Sequence, residues 1–249
     1  MDVLQKIKSR LAIDEGGNNI EEGNRYNEDF SYLDFHTDRL KYLFQLAHKY
    51  YQAGNKFLDI GSLFGYNCLG AQIIGYQAFG LDLPKYTEQF GDRFRRYHID
   101  NRACDLGTQA MPFSDNEFDL IMASEVIEHF NFHPLHFFQE SFRVLRPGGR
   151  LIITTPNLIR LNNVFKMLIG KSINWNISDE YWDGVHRREF TSQELVFLAE
   201  SSRLKIETLS YQNFDYPNIS RPLKMINIIG GWIFPARRGN IILIANKTI

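Results

Sequence analysis

The run FLDIGSLFGYN, Phe57 to Asn67, constrains this chain more than any other stretch. An apolar segment interrupted by one carboxylate, Asp59, meets Gly61 and Gly65, and a helical pattern carrying Leu69, Ile73 and Ile74 follows. A buried strand that turns through glycines into a helix must be followed by a parallel strand, because the helix carries the chain back to where the strand began. The rest of the chain obeys that demand. AFGLDL (Ala78 to Leu83), YHIDNRACDL, FDLIMAS (Phe118 to Ser124) and RLIITTP read as further strands. A polar helix around Glu88 to Arg96 and the helix PLHFFQESFRV, expected to end at the Pro147-Gly148-Gly149 turn, lie between them. Near-continuous apolar strands separated by crossover helices mean a parallel sheet covered on both faces.

Upstream, Thr37 or Asp38 is placed to cap a helix whose Leu40, Leu43, Phe44, Ala47 and Tyr50 share a face, with Gly54 as its stop. Downstream, TSQE (Thr191 to Glu194) offers a capping box, and KIETLSYQNF and NIILIANK supply two closing β-like runs. Between Asn157 and Val185 periodicity weakens and Asn, Trp and Tyr accumulate, which suits an insertion over a site. The expected organisation is a single domain: an N-terminal helical part (1–54), a core (55–156), a lid-like insertion (157–185), and a C-terminal helix with edge strands (186–249).

Composition excludes several function classes. With 249 residues and 44% hydrophobic content, the chain buries a sizeable core. A formal net charge of -1 leaves no electrostatic footprint for nucleic acid, and RFRR and ARRG read as solvated faces. Two cysteines, Cys68 and Cys104, exclude a disulfide framework or zinc ribbon and fit a reducing compartment. Val3, Leu4, Ile7 and Leu11 recur at helical spacing, which suits a helix docked on the protein better than an interfacial membrane helix. MINIIGGWIF (Met225 to Phe234) is too short and too interrupted to span a bilayer. The expectation is a soluble, cytoplasmic protein without a membrane span.

In an open parallel sheet the ligand crevice lies at the carboxyl ends of the strands, where strand order reverses. A dinucleotide site wants G-x-G-x-x-G to seat a pyrophosphate, whereas this chain reads G-S-L-F-G, with an anion, Asp59, two residues before the first glycine. That anion opposes a diphosphate and argues against a nicotinamide oxidoreductase. It favours a cationic ligand, and the ammonium and sulfonium groups of S-adenosylmethionine supply the charge. By itself the turn serves a structural βα connection equally well, so its context matters. Asp82 closes the second strand, where a carboxylate accepts from two ribose hydroxyls. Asp105 and Leu106 end the third, where a carboxylate meets an adenine amino group and an apolar neighbour covers the ring.

In order along the chain, FLDIGSLFG, GLDL, CDLGTQAMPFSDNEFDLIMASEVIEHF and LRPGGRLIITTPN resemble the class I S-adenosylmethionine-dependent methyltransferases over about Lys56 to Asn157. MPFSDNEFDLI resembles the branch acting mostly on small molecules. The resemblance implies an α/β, Rossmann-like, seven-stranded and mostly parallel sheet of order 3-2-1-4-5-7-6. It implies S-adenosylmethionine as cofactor and S-adenosylhomocysteine as product. Asp59 and Gly61, with Gly65 in the same motif, would line the methionine moiety; Asp82 would hold the ribose, Asp105 and Leu106 the adenine, and Glu125 would open the acceptor cavity. One position departs from the pattern: the middle glycine of the first motif is Leu63.

The expected activity is methyl transfer to a small-molecule acceptor through a hydroxyl, on a sugar or related metabolite. The span from TPN through HRREF to the closing strand resembles sugar- and polysaccharide-tailoring methyltransferases. EVIEH followed by a later histidine resembles quinone-precursor O-methyltransferases and small-RNA 3'-end methyltransferases, in some of which such residues hold a divalent metal. His129, His186 and Glu125 are the catalytic candidates, and a metal-dependent site would take Glu125, Glu128, His129 and His186 as its ligand set; each histidine alone reads equally as a structural hydrogen-bonder. An RNA methyltransferase and a non-catalytic cofactor-binding protein also stay open as readings of the same motifs. Trp175, Tyr181 and Trp182 are candidates for an aromatic or sugar-binding wall.

Overall fold

This computed structural model describes residues 2–14, 31–174, 185–214, 225 and 230–248; Trp175, Tyr181 and Trp182 lie outside them. Its strands are β1 (Lys56–Ile60), β2 (Gln77–Asp82), β3 (Asp100–Ala103), β4 (Phe118–Ser124), β5 (Leu145–Pro156), β6 (Leu204–Gln212) and β7 (Asn240–Lys247). They form one seven-stranded sheet of order β3-β2-β1-β4-β5-β7-β6, as the resemblance implies. β1 runs parallel to β2 and β4 parallel to β5, whereas β7 is antiparallel to both β5 and β6. The residues group into two compact units, 1–102 with 214–218 and 103–213 with 219–249.

The first unit carries helices α1 (Val3–Asp14), α2 (Thr37–Tyr50), α3 (Tyr66–Ile74) and α4 (Pro84–Arg96) with β1 to β3. Phe57, Leu58 and Ile60 are all buried, which is why β1 is apolar at successive rather than alternate positions. Leu4, Ile7 and Leu11 of α1 are buried within the protein, so the N-terminal stripe docks there. Burying three such side chains contributes roughly 1.5–3 kcal/mol each before chain entropy is counted. Thr37 does not cap α2. Its hydroxyl donates to the carbonyl of Leu33, because residues 31–35 are already helical and supply the preceding turn. α2 also ends at Tyr50, ahead of Gly54, whose positive φ shapes the turn into β1.

In the second unit α5 (Leu135–Val144) stops before the expected Pro147-Gly148-Gly149 turn. Leu145 already pairs with Phe118, and the register then jumps to Leu120 opposite Arg150, so residues 146–149 form an irregularity inside β5. The described part of the weakly periodic stretch after β5 includes the helix α6 (Leu161–Leu168). Thr191 and Glu194 make the expected reciprocal capping box at the start of α7 (Ser192–Ser201). Both cysteines are free and buried. Among the described residues no helix is long and apolar enough to cross a membrane.

Candidate active site

The turn after β1 packs three left-handed residues into five positions: Gly61 at φ 71°, Leu63 at 38° and Gly65 at 77°. For Leu63 that conformation costs about 1–2 kcal/mol, since its Cβ crowds its own backbone. Asp82, at the end of β2, fixes the turn in place. Its Oδ2 accepts from the amide of Leu63 at 2.7 Å and its Oδ1 from the amide of Leu83 at 2.7 Å. An ionised carboxylate has about four acceptor positions, so Asp82 retains capacity for two hydroxyls. At Gly65 a side chain would meet both the positive φ and the ring of Phe94, whose Cζ lies 3.0 Å from the position of an added Cβ.

Asp59 lies beneath this turn, 1% exposed. Its Oδ1 accepts from Asn67 Nδ2 at 3.1 Å, and the thiol of Cys68 points to its Oδ2 at 3.9 Å. Burial pushes its carboxyl well above the ordinary range; the negative charge of Asp82 adds to the rise, and the contacts from Asn67 and Cys68 oppose it. Burial also raises Asp82, against the pull of the Leu63 and Leu83 amides and of Lys85. Two carboxyl groups that each resist ionisation, with no basic side chain paired to Asp59 among the described residues, form a place where a cation is stabilised. The site therefore fits a ligand that brings an ammonium or sulfonium charge.

Asp105 and Leu106 of the second unit lie beyond the end of β3, where the Asp105 carbonyl accepts from the amides of Thr108 and Gln109 and opens a turn. Asp105 Oδ1 accepts from the amide of Gly107 at 2.9 Å, and the Asp105 amide donates to Gln109 Oε1 at 3.0 Å, which fixes the carboxylate at the turn; Leu106 is buried beside it. Glu125 follows β4 with φ 56°, a strained conformation for a residue with a side chain. Its Oε1 accepts from Thr154 Oγ1 at 2.9 Å, and both carboxylate oxygens accept from Asn240 Nδ2 at 3.2 Å. Strands β5 and β7 thus hold it from two sides.

His129 and His186 converge. Their ring centroids lie 5.0 Å apart with the planes at 79°. His129 ends a 3-10 turn (Ile127–His129), and His186 lies in a segment tied to that turn by the Arg187 amide, which donates to the Glu128 carbonyl at 2.7 Å. Nδ1 of His129 faces the Val185 carbonyl at 3.2 Å. A carbonyl only accepts, so Nδ1 carries the proton and the lone pair sits on Nε2. Partial desolvation of the ring lowers the pKa of His129, and the neighbouring His186 lowers it further, so both favour the neutral imidazole.

On its other side His186 presents Nδ1 to Glu189 Oε1 at 3.5 Å. Glu189 accepts two bonds from Arg160, at 2.5 and 2.8 Å, and one from Asn163 Nδ2 at 2.7 Å. Burial alone would raise this carboxyl, but His186, Arg160 and Asn163 together bring it down to about 2. Glu128, fully buried, accepts from Thr155 Oγ1 at 3.0 Å. One ligand atom each from Glu128, His129 and His186 lie within 4.8 Å of one another, a spacing that fits a metal ion. Glu125 is not in that group, so the expected ligand set of four contracts to three. Two imidazoles and one carboxylate suit Mn²⁺, Fe²⁺ or Zn²⁺ better than Mg²⁺. His186 backed by a carboxylate and His129 backed by a carbonyl are the outer partners that orient such ligands.

Sequence reasoning picks out the two histidines and misses what holds them. Glu189 and Arg160 are visible only as charges flanking an insertion. Thr154, Thr155 and Asn240 are hidden within apolar strands, where a threonine or asparagine at 5% exposure or less is itself a signal of a buried polar partner.

Residues 58–153 match a family model described as a methyltransferase domain. The mouse mitochondrial ubiquinone biosynthesis O-methyltransferase is 31% identical over 167 residues, which is 64% of this chain and 43% of the relative. A probable S-adenosylmethionine-dependent methyltransferase of Mycolicibacterium smegmatis is 30% identical over 163 residues, 66% of this chain and 56% of the relative. The chain therefore spans about half the length of these curated relatives. Among solved structures, an S-adenosylmethionine-dependent methyltransferase of Methanosarcina mazei superposes with a TM-score of 0.61 at 18% identity, over 82% of this chain and 97% of the other, which speaks for the fold. Residues 58–153 thus match a methyltransferase domain, and the sheet order, the glycine turn and the strand-end carboxylates agree with the class I S-adenosylmethionine-dependent methyltransferases that the chain resembles.

Proposed function

We propose that the protein transfers the methyl group of S-adenosylmethionine to a hydroxyl of a small molecule, with a sugar or related metabolite as the acceptor class. The observation that carries this reading is the histidine pair, in which His129 is held neutral with its lone pair on Nε2. When bound, S-adenosylmethionine supplies a methyl carbon already activated by the sulfonium. Asp59 and Asp82 supply the negative environment for its positive charges, Asp82 also accepts from the ribose hydroxyls, and Asp105 with Leu106 serves the adenine. In that role the cofactor would give up its methyl group to the acceptor oxygen and keep the electron pair of the carbon–sulfur bond on sulfur. The hydroxyl proton passes to Nε2 of His129 or His186. Alignment of the two reactants contributes roughly 7–11 kcal/mol and the base about 10²–10⁴-fold.

A second reading has support of its own: the Glu128, His129 and His186 donors lie close enough together to hold a divalent ion, which would position the acceptor oxygen. The mouse relative's name supports an oxygen acceptor, and a net charge of -1 favours a small molecule over RNA. A methyl-acceptor screen following S-adenosylhomocysteine tests the proposal. In the general-base version the His129→Ala/His186→Ala double variant loses about 10²–10⁴ in turnover with cofactor binding retained, and chelation has no effect. In the metal version chelation abolishes turnover, and Mn²⁺, Fe²⁺ or Zn²⁺ restores it. Full activity in the double variant would defeat both.

A further inference from the structure

Two apolar segments of the second unit are exposed among the described residues. On and just after α6, Phe165, Leu168 and Ile169 are 61%, 77% and 52% exposed; in a helical turn over 230–233 and its exit, Trp232 and Phe234 are 81% and 57% exposed. The two segments are fastened at their bases. Gly230 lies so close to Leu161 that an added Cβ would come within 2.3 Å of its Cδ2. Arg237 donates to the Ile159 carbonyl at 3.1 Å, and Asn157 Nδ2 donates to the carbonyls of Ala236 and Arg238 at 3.0 and 2.8 Å. Because the two segments are fastened to each other at their bases, their exposed side chains share one region of the surface, and an extended apolar patch of this kind marks an interaction site.

The charges around the surface select its occupant. Neither 157–174 nor 225–238 contains an aspartate or glutamate, whereas Lys166, Lys171, Arg237 and Arg238 flank the apolar residues. Among the described residues none of these four has a carboxylate partner. We propose that this face seats the protein on an anionic lipid bilayer, with Phe165, Leu168 and Trp232 entering the interfacial layer and the lysines and arginines meeting lipid phosphates. A second copy docked through the same face would set cations against cations, and an anionic bilayer sets them against negative charge. The eight residues of α6 are far too few to span a membrane, so the contact is peripheral. A tryptophan and a phenylalanine beside basic residues also match the chemistry of the membrane–water boundary. None of this depends on which acceptor is methylated.

Vesicle flotation of the full chain, using phosphatidylcholine with and without phosphatidylglycerol, tests the proposal. The protein is expected to float only with the anionic vesicles and to be released as salt is raised to about 0.5 M, where charges are screened within a few ångströms. Removing one lysine should weaken partitioning about 5-fold, so Lys166→Glu/Lys171→Glu should weaken it at least ~25-fold. Leu168→Ser/Trp232→Ser should also abolish flotation, with an unchanged melting temperature because both side chains are already in water. Failure to float with phosphatidylglycerol, or flotation of both double variants equal to the parent's, overturns the proposal. So does light scattering that shows a dimer dissociated by Leu168→Ser/Trp232→Ser, which would assign the face to a second copy.

Discussion

Replacing Glu189 by glutamine should expose how the histidine pair is held. The carboxylate accepts two bonds from Arg160 and one from Asn163 and faces His186, and these partners hold its pKa at about 2. Glutamine keeps the size but not the charge, so at least one charge-assisted bond is lost and Arg160 loses its counter-ion. A loss of roughly 1.5–3 kcal/mol is expected. For a chain of this length that lowers the melting temperature by about 3–12 °C. The pH dependence distinguishes this from simple loss of packing. A carboxyl whose folded pKa is depressed contributes stability that is fully present above its unfolded pKa of about 4.3 and is lost as pH falls towards about 2. The gap between parent and variant should therefore be full near pH ~6 and narrow clearly by pH ~3 in denaturant titrations. A gap that stays constant over that range would refute the ionic account of Glu189. With His186 no longer oriented, methyl transfer should also fall about 10–100-fold.

Asp82→Ala should weaken S-adenosylmethionine binding by about 10- to 150-fold, since charge-assisted bonds of 1.5–3 kcal/mol are lost, and calorimetry showing unchanged affinity would remove the ribose assignment. Asp59, whose carboxyl is raised by burial, must release a proton when a cation arrives, so S-adenosylmethionine affinity should rise with pH until Asp59 is ionised in the free protein. Calorimetry in two buffers of different ionisation enthalpy reads that proton, and no release in the parent, or the same release in Asp59→Asn, would count against it. Leu63→Gly relieves a left-handed leucine at a cost in chain entropy of about 0.5–1 kcal/mol, so its stability should stay within about 1 kcal/mol of the parent. Leu63→Val should be clearly less stable by thermal melting, because a β-branched side chain tolerates that conformation worse.

The sheet was readable because its signals are local. Ile241 to Ala245 are apolar and buried at successive positions, and Phe57, Leu58 and Ile60 are buried on both sides of the single polar residue Asp59, a pattern that strands covered on both faces need. The capping box of Thr191 and Glu194 was readable for the same reason, as both partners lie within one helical turn. Element ends were less so. The exit from α5 is decided by the pairing of Leu145 with Phe118, a partner far away in sequence, and this overrides the local Pro-Gly-Gly signal. In the site, the histidines could be named from EVIEH and HRREF, but the partners that give them a tautomer could not. Glu189 meets Arg160 across 29 positions and Glu125 meets Asn240 across 115, and no periodicity links such residues. Asp59 reads in the sequence as lining the methionine moiety, and its burial under the turn, with Asn67 and Cys68 facing it, has no signature in the local pattern.

Catalytic methyl transfer can be read out by mass spectrometry of a metabolite extract incubated with the protein and S-adenosylmethionine carrying a deuterated methyl group. A small molecule should gain the labelled methyl on oxygen, with S-adenosylhomocysteine formed in equal amount, and both should be lost in the His129→Ala/His186→Ala variant. Tight S-adenosylmethionine binding with no S-adenosylhomocysteine above the blank would contradict it and leave a cofactor-binding protein without methyl transfer.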